Sequence, residues 1–297
     1  MIRLGLVDFD TSHVVNFTKR LNHIDIEEDQ QVDGARVIAG WPGSSMHSPD
    51  RLPKFTQQMR DMGVQIVDEK EDLMDLCDGI CIEANDGSVH LQRAQPFLEA
   101  GMPCFVDKPF ACSIPDAREL LELSDKHGAP IFSSSPQRFV PQIVQAADDE
   151  EIGDILGAHT ATPAKEHPVN PGLYNYGIHG VEMLYALMGP GCESVCCGWT
   201  EGAEIVTGRW KDGRIGTVRG LRAGSFGYTF SVWGENGTRS EPLDRTYNHR
   251  ELLKRIVQFF ETGQSPVDPL ETLEVIAFIA AALESRERAG RWVSLSL

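Results

Sequence analysis

The sequence predicts an α/β protein whose N-terminal half is a Rossmann-like, doubly wound parallel sheet. Six short apolar segments, typical of strands buried on both faces, alternate there with segments of helical periodicity. After about residue 135 the pattern changes to closely spaced strands joined by tight turns, which indicates an α/β domain with a mostly antiparallel open sheet. We therefore predict a Rossmann-like domain over residues 1–135 and a second α/β domain over residues 136–297.

The first half alternates strand and helix throughout. The predicted strands cover residues 2–7, 36–40, 64–67, 79–83, 103–107 and 130–134. Between them we predict helices, one of which begins behind an N-cap at Thr11 or Ser12. Two further helices end at Gly101 and Gly128, because glycine adopts the left-handed conformation that terminates a helix. This alternation favours a parallel sheet covered by helices on both faces.

The second half contains runs of strands with little helix between them. Predicted strands cover residues 154–162, 194–200, 204–210, 214–221 and 228–233, and predicted helices cover residues 141–147, 174–188, 247–262 and 268–289. Asp212-Gly213 and Asn236-Gly237 are tight-turn signals of hairpins. These signals predict an antiparallel meander that ends in two helices.

The strands of this predicted meander carry more large apolar residues than one face of so small a sheet can bury. They are Val195, Val206, Trp210, Val218, Phe230 and Trp233. An uncovered apolar sheet face usually marks an interface, and a self-complementary dimer is the commonest way to bury one. We therefore expect a homodimer, or a homotetramer built from it, joined through this sheet.

Charge and composition exclude several classes of partner. The chain carries 44 acidic and 27 basic residues, which gives a formal net charge of −17. Because such a chain repels polyanions, we expect neither nucleic-acid binding nor docking on anionic lipid. No apolar run approaches the roughly 18 residues that span a bilayer, and we find no signal peptide. Seven cysteines without a CxxC pair are typical of buried reduced thiols, so we expect a cytoplasmic protein.

Two segments contain candidate catalytic residues. Ligands of open parallel sheets bind beyond the carboxyl ends of the strands, and Lys108 follows the fifth predicted strand there. Its ammonium group can donate a proton or hold an oxyanion, although a surface lysine in a turn is the alternative. On a helix, Asn175, His179 and Glu182 share one face, and imidazole suits proton transfer near neutral pH. A hydrogen-bonded polar stripe is equally consistent with that spacing.

Five segments, in the expected order, resemble motifs of the glucose–fructose oxidoreductase, inositol dehydrogenase and rhizopine-catabolism (Gfo/Idh/MocA) family. They are residues 100–109, His90, residues 135–141 with 152–155, residues 175–179, and Glu284-Ser285. Asp107 and Asn175 depart from the usual Glu and Asp. The resemblance covers nearly the whole chain and implies the two-domain fold above, oligomerisation through the open sheet, and NAD or NADP used on sugars, polyols or related compounds. It also implies that Lys108 and His179 are the catalytic pair.

The predicted dinucleotide site departs from the usual glycine-rich loop. The pattern G-x-G-x-x-G normally follows the first strand, and here only Gly5 remains, with Val7 and Asp10 at the other two glycine positions. Asp8 and Asp10 are electrostatically unfavourable beside a pyrophosphate, but the start of the first helix can still bind phosphate through its N–H groups. The expected cofactor contacts are Gly5, Thr11, Ser12, His13, Asn85, His90, Asp107 and Lys108.

The remaining site assignments concern the substrate and a metal. Arg138 can clamp a carboxylate or phosphate, with a structural ion pair as the alternative. The expected substrate contacts are Arg138, Tyr174, Asn175, His179 and Glu182. We assign no metal ligands: capping of the first helix is the favoured explanation of Asp8, Asp10 and His13, and a divalent ion held with His90 or Asp86 is the alternative.

Three functions are consistent with these residues. The first is an NAD(P)-dependent oxidoreductase that acts on a small-molecule substrate, a sugar-like alcohol or ketone. The second is a protein of this family that has lost dinucleotide affinity and acts in binding or regulation. The third is an isomerase or lyase in which Lys108 and His179 exchange protons without redox turnover. For NADP in particular, Ser44, Ser45 and Arg51 suit a 2′-phosphate.

Overall fold

The computed structural model describes all 297 residues and divides into two compact units. The first contains Met1–Ser134 and His249–Pro269, and the second contains Ser135–Asn248 and Leu270–Leu297. The chain therefore leaves the first unit once, returns to it for one helix, and leaves it again. The single division predicted near residue 135 did not anticipate this return, because a boundary read from local pattern cannot show where a later helix packs.

The first unit contains a six-stranded parallel sheet with the strand order β3-β2-β1-β4-β5-β6. The strands are β1 (Ile2–Val7), β2 (Ala35–Trp41), β3 (Gln65–Ile66), β4 (Gly79–Ile82), β5 (Cys104–Val106) and β6 (Ile131–Phe132). The predicted doubly wound sheet is confirmed. The strand order reverses at β1, so the crevice between the carboxyl ends of β1 and β4 is where a ligand of such a sheet binds.

Six helices cover this sheet. They are α1 (His13–Asn22), α2 (Leu52–Asp61), α3 (Leu73–Leu76), α4 (His90–Glu99), α5 (Ile114–His127) and α8 (Asn248–Thr262). Helix α8 packs closely on the sheet: the ring of Phe259 lies 5.6 Å from that of Phe132. Gly79 has no room for a side chain, since an added Cβ would lie 2.4 Å from the ring of Phe260. The N-terminal sheet thus depends on a helix near the C-terminus.

The second unit contains a seven-stranded sheet with the order β12-β11-β7-β10-β9-β8-β13. Its strands are β7 (Ile155–Pro163), β8 (Cys192–Trp199), β9 (Ala203–Trp210), β10 (Ile215–Leu221), β11 (Thr229–Gly234), β12 (Thr238–Pro242) and β13 (Val293–Ser294), and its helices are α6 (Pro141–Ala147), α7 (Ile178–Met188) and α9 (Pro269–Glu287). The mostly antiparallel sheet is confirmed. The predicted simple meander is wrong, because β7 lies between β11 and β10 and runs parallel to β10.

The apolar residues that we used to predict an uncovered face lie almost entirely on the covered one. Five of them are at most 1% exposed, namely Val195, Val206, Trp210, Val218 and Phe230. Only Trp233 is exposed, at 48%. Strand alternation places the five on one face, where Gly208 approaches Phe278 of α9. The predicted excess of apolar residues on an uncovered face is therefore wrong. The opposite face combines Ile205, Ile215 and Trp233 with polar side chains.

Two further properties of the chain bear on its environment. None of the helices combines the length and the apolar character that crossing a bilayer requires. All seven cysteines are free thiols, and five of them are buried.

Candidate functional site

The segment after β1 carries two buried carboxylates that accept hydrogen bonds from the protein itself. Asp8 adopts a left-handed conformation (φ 65°), and its Oδ2 accepts a hydrogen bond from Nε of Arg93 at 2.9 Å. Burial raises the pKa of Asp8 to about 6, although the positive charge of Arg93 opposes the shift. Asp10 accepts hydrogen bonds from the Ser45 hydroxyl at 2.5 Å and from the Asn85 backbone N–H at 2.9 Å. Both carboxylates are thus held by donors of the first unit.

The backbone of this segment offers less to a phosphate than a glycine-rich loop does. The N–H of Asp8 donates to the carbonyl of Trp41 at 3.0 Å, and that of Phe9 donates to the carbonyl of Pro42 at 2.9 Å. These bonds extend the β1–β2 pairing and occupy donors that a pyrophosphate would otherwise use. Gly5 is a packing residue, since an added Cβ would lie 3.0 Å from Cys77 Sγ. Its assignment as a cofactor contact is corrected accordingly.

The start of α1 is the part of the predicted phosphate site that remains. Ser12 is exposed, and its side chain makes no capping hydrogen bond. The N–H of His13 makes only a long contact of 3.3 Å to Thr11 Oγ1. Because the first N–H groups of a helix attract anions, Thr11, Ser12 and the helix start can receive a phosphate.

Two other predicted cofactor residues make internal contacts. His90 is fully buried, and its two ring nitrogens lie 2.9 Å from the Ala84 carbonyl and 3.2 Å from the Phe110 carbonyl. It therefore connects the segments after β4 and β5, and its ring has no exposed surface to offer a cofactor. Asn85 donates its side-chain N–H to the Asp10 carbonyl at 2.8 Å. These contacts favour a positioning role for His90 and Asn85 within the first unit.

Lys108 lies at the carboxyl edge of the sheet beside a buried polar cluster. Its Nζ is 3.8 Å from Asp107 Oδ2, and its side chain is 14% exposed. Asp107, which the sequence predicts as a cofactor contact, is fully buried and lies beside Lys108. Burial would raise the pKa of Asp107, but the charges of His13 and Lys108 outweigh burial and lower it. Glu83, which the sequence analysis missed, completes this cluster.

In the second unit, His179 is oriented by Ser135, which the sequence analysis also missed. The Ser135 hydroxyl oxygen lies 2.7 Å from Nδ1 of His179, and both side chains are buried. The same oxygen accepts the N–H of Gln137 at 3.1 Å. The rings of Tyr228 and Tyr176 lie 5.7 and 6.0 Å from the imidazole. The imidazole ring is therefore held in one orientation by Ser135 and two aromatic side chains.

The predicted helical face of Asn175, His179 and Glu182 is only partly correct. Helix α7 begins at Ile178, and Asn175 precedes it in an extended conformation, with its side chain donating to the Lys165 carbonyl at 2.6 Å. Tyr176 then takes a left-handed conformation (φ 58°), which breaks the periodicity on which the prediction relied. Only His179 and Glu182 share a helical face.

Arg138 and Glu182 belong to a buried ion-pair network. Arg138 Nη1 lies 3.2 Å from Glu182 Oε2, and its Nη2 contacts Glu271 of α9. The three side chains are at most 11% exposed. Tyr174 donates its hydroxyl to the Ile276 carbonyl at 3.3 Å. These contacts favour the ion-pair alternative for Arg138 and a structural role for Glu182 and Tyr174.

Comparison with known proteins identifies relatives of this fold. Residues 47–134 match the model of the Gfo/Idh/MocA oxidoreductases, described as an oxidoreductase family with an NAD-binding Rossmann fold. The structure is similar to scyllo-inositol dehydrogenase from Lactobacillus casei, solved with NAD(H) and scyllo-inositol (TM-score 0.78, 16% identity, 99% of each chain covered). It is also similar to a myo-inositol dehydrogenase from Corynebacterium glutamicum (TM-score 0.79, 15% identity, covering 100% of this chain and 99% of that one).

A third similar structure is GenD2 from gentamicin A biosynthesis in complex with NAD, with a TM-score of 0.80 and 16% identity over 100% of this chain and 97% of that one. At such identities these likenesses establish the fold. No curated protein matches the chain in sequence.

Proposed function

We propose that this chain is an oxidoreductase of the Gfo/Idh/MocA family that transfers hydride between NAD or NADP and a sugar, polyol or related hydroxy or keto compound. The match of residues 47–134 to that family's model supports an oxidoreductase built on an NAD-binding Rossmann fold. The substrate class is supported by the inositol dehydrogenases that share its fold over their full length. The observation that carries the proposal is that Lys108, at the carboxyl edge of the first unit's sheet, and His179, in the second unit, each contact a defined neighbour, Asp107 and Ser135 respectively.

The first unit can accept a dinucleotide, although with fewer donors than a full glycine-rich loop provides. The start of α1, at Thr11, Ser12 and His13, would hold a phosphate beside the exposed Ser12. Lys108, partly exposed at the end of β5, would lie toward the nicotinamide end of the dinucleotide. The nicotinamide ring, when bound, supplies the hydride acceptor or donor. Because Asp8 and Phe9 have already used their N–H groups, we expect weaker binding than in relatives with three loop glycines.

The chain's own residues would manage the proton that accompanies hydride transfer. We assign to Lys108 a hydrogen bond from its ammonium group to the reacting oxygen of the substrate, which stabilises negative charge as it develops there. We assign to His179 the exchange of the hydroxyl proton through Nε2, since Nδ1 is engaged by Ser135. Carbonyl reduction uses the same two groups in the opposite direction.

Fluorescence titration of the full chain with NADH and NADPH tests the proposal, followed by a turnover screen over inositols, aldoses and their ketones. We expect saturable binding of one cofactor at micromolar concentrations and turnover of at least one substrate. Absence of binding up to millimolar concentrations would contradict the proposal and favour the binding or regulatory alternative. Proton exchange into a substrate without cofactor turnover would favour the isomerase or lyase alternative.

Removing the Ser135 hydroxyl is expected to lower kcat and leave KM nearly unchanged. One buried hydrogen bond contributes about 0.5–1.5 kcal/mol, so Ser135→Ala should reduce kcat by a factor between about 2 and 13 as His179 loses its orientation. The pH profile of kcat should shift as well, because the partner of His179 Nδ1 is lost. Ser133→Ala, another buried serine two residues earlier, is the matched control. A normal pH profile in Ser135→Ala would contradict the positioning role.

Dinucleotide affinity is expected to rise as the pH falls through about 6. The pKa of Asp8 is raised to about 6, so below this pH the carboxyl is protonated and neutral, and above it the carboxylate repels the pyrophosphate. One unit charge acting through a partly aqueous medium is equivalent to about 1 kcal/mol, or about fivefold in Kd between pH 7.5 and 5.5. Asp8→Asn keeps the acceptor for Arg93 and should bind tightly at both pH values. An equal pH dependence in this variant would refute the assignment.

We also propose that the chain forms a homodimer or homotetramer through the open face of the second unit's sheet, as a cytoplasmic enzyme. The support is now the exposed trio Ile205, Ile215 and Trp233, which are 39–53% exposed. Sedimentation at micromolar concentration should show at least twice the chain mass of 32.9 kDa, and Ile215→Asp should shift the protein to monomer. A wild-type monomer under these conditions would disprove this interface.

A further inference from the structure

Three side chains of the first unit converge beside Lys108. His13 begins α1, Glu83 follows β4 and Asp107 follows β5. One ligand atom from each lies within 4.8 Å of the others. Glu83 and Asp107 are 0% exposed and His13 is 7% exposed. We propose that these residues bind a divalent transition-metal ion through His13 Nδ1 and the carboxylates of Glu83 and Asp107.

The polar atoms of this cluster form ion pairs with one another and with Lys108, but they make no hydrogen bonds. Ten buried side-chain polar atoms of the protein have no hydrogen-bond partner, and five of them belong to this cluster: His13 Nδ1 and all four carboxylate oxygens of Glu83 and Asp107. A buried polar or charged group without hydrogen bonds is unfavourable, even where an opposite charge lies nearby. A metal ion at their centre would engage one lone pair of each residue at once.

The distances within the cluster also suit a metal ion. His13 Nδ1 lies 2.9 Å from Asp107 Oδ2 and 3.8 Å from Glu83 Oε2. The shorter contact does not have hydrogen-bond geometry, since both atoms remain without a hydrogen-bond partner. Two nitrogen or oxygen ligands at about 2.1 Å from a tetrahedral ion lie about 3.4 Å apart. The two observed separations bracket this value, so small side-chain adjustments suffice for coordination.

The cluster and its surroundings carry more negative than positive charge, which favours a bound cation. Lys108 is the positively charged side chain beside the cluster, 3.8 Å from Asp107, and it offsets one of the two carboxylates. The competing occupant is a proton on Glu83, because burial and the neighbouring Asp107 charge raise the pKa of Glu83 well above its ordinary value. Either a divalent ion or a proton would offset this excess of negative charge. If an ion occupies the site, Glu83→Gln should weaken metal binding. If a proton occupies it, Glu83→Gln should leave the protein at least as stable as wild type.

The ligand set selects the class of ion. One imidazole and two carboxylates suit Zn²⁺, Mn²⁺ or Fe²⁺ better than a soft ion such as Cu⁺, which prefers sulfur ligands. The ring of His13 stacks on Phe17 at 5.0 Å, which fixes its orientation. An ion here would hold Asp107 and so position the adjoining Lys108. The inference does not depend on the proposed dehydrogenase activity.

Calorimetric titration of the tag-free, full-length chain with Zn²⁺ and Mn²⁺, after removal of metal with EDTA, tests the proposal. We expect one ion per chain and a Tm rise of about 5 °C at saturating Zn²⁺. Glu83→Gln should bind at least tenfold more weakly and lose the Tm rise. Asp86→Asn removes a buried carboxylate of the same unit outside the cluster and should bind like the wild type.

Equal affinity in wild type and Glu83→Gln would overturn the proposal, because the ion would then bind elsewhere. Failure of the wild type to bind either ion at millimolar concentration would overturn it too. A Glu83→Gln variant at least as stable as wild type, with no metal-dependent Tm shift in either, would assign the site to a proton instead. If Glu83→Gln does not fold, the number of ions bound per chain is compared between wild type and His13→Asn. We expect one ion in wild type and none in His13→Asn. The NADH titration is separate, so failure of the metal site and failure of the proposed activity are distinguishable.

Discussion

Replacing Lys108 with methionine is expected to lower kcat by about two to three orders of magnitude, the range that one donor to a developing oxyanion contributes. The ammonium group lies beside Asp107 at 3.8 Å, at the carboxyl edge of the parallel sheet. Methionine retains the length of the side chain and removes its charge and its donors. Steady-state kinetics with saturating cofactor measures the loss, and fluorescence titration should show dinucleotide affinity changed by less than the loss of turnover.

Lys126→Met is the matched control, because Lys126 is an exposed lysine of the same unit in the last turn of α5. It should retain wild-type kcat. His179→Gln removes the proton-transfer group of the second unit and should produce a loss of similar size. Activity within threefold of wild type in Lys108→Met would contradict the assignment of Lys108 as a catalytic residue.

The largest expected effect on stability comes from Arg138. Arg138→Met removes the positive charge that pairs with the nearly buried carboxylates of Glu182 and Glu271. Removing one partner of a buried ion pair typically destabilises a protein by about 3–5 kcal/mol. We therefore expect the free energy of unfolding, measured in urea, to fall by about that amount, with the second unit most affected.

A second substitution separates the ion pair from simple packing. Glu271→Gln in the Arg138→Met background removes one of the two negative charges that Arg138 balances and should restore part of the lost stability. Arg138→Met with stability within 1 kcal/mol of wild type would show that the network contributes little. A strong loss of substrate affinity with unchanged stability would instead return Arg138 to the role of a substrate clamp.

Local pattern predicted the elements of this fold much better than their pairing. The strand Ile2–Val7 and the helix Pro141–Ala147 were predicted with their observed bounds. The apolar residues that a short element buries lie within the element itself, so its own sequence indicates it. The place of β7 between β11 and β10 was not predicted. Pairing with strands more than 50 residues away depends on the three-dimensional arrangement, and no residue of β7 encodes it.

The candidate site shows the same division between local and distant information. Lys108 and His179 were found because each lies in a recognisable local motif. Ser135 was missed because its partner is 44 residues away, and the Arg138–Glu271 pair spans 133 residues. Glu83 had a local signal: it is a carboxylate that ends the apolar run of β4, at the edge of the sheet where ligands bind.

The position of helix α8 in the chain also determines when the first unit can complete its fold during synthesis. Residues 1–134 leave the ribosome first, but the helix that covers Phe132 and Gly79 follows only after residues 135–248 have been made. At about 5–20 residues per second, this delay lasts roughly 6–20 s. Throughout it, the surface that awaits Phe259 and Phe260 stays uncovered. The N-terminal unit is therefore the first to emerge and the last to be finished, so the nascent chain is most exposed to aggregation and chaperone capture in this interval.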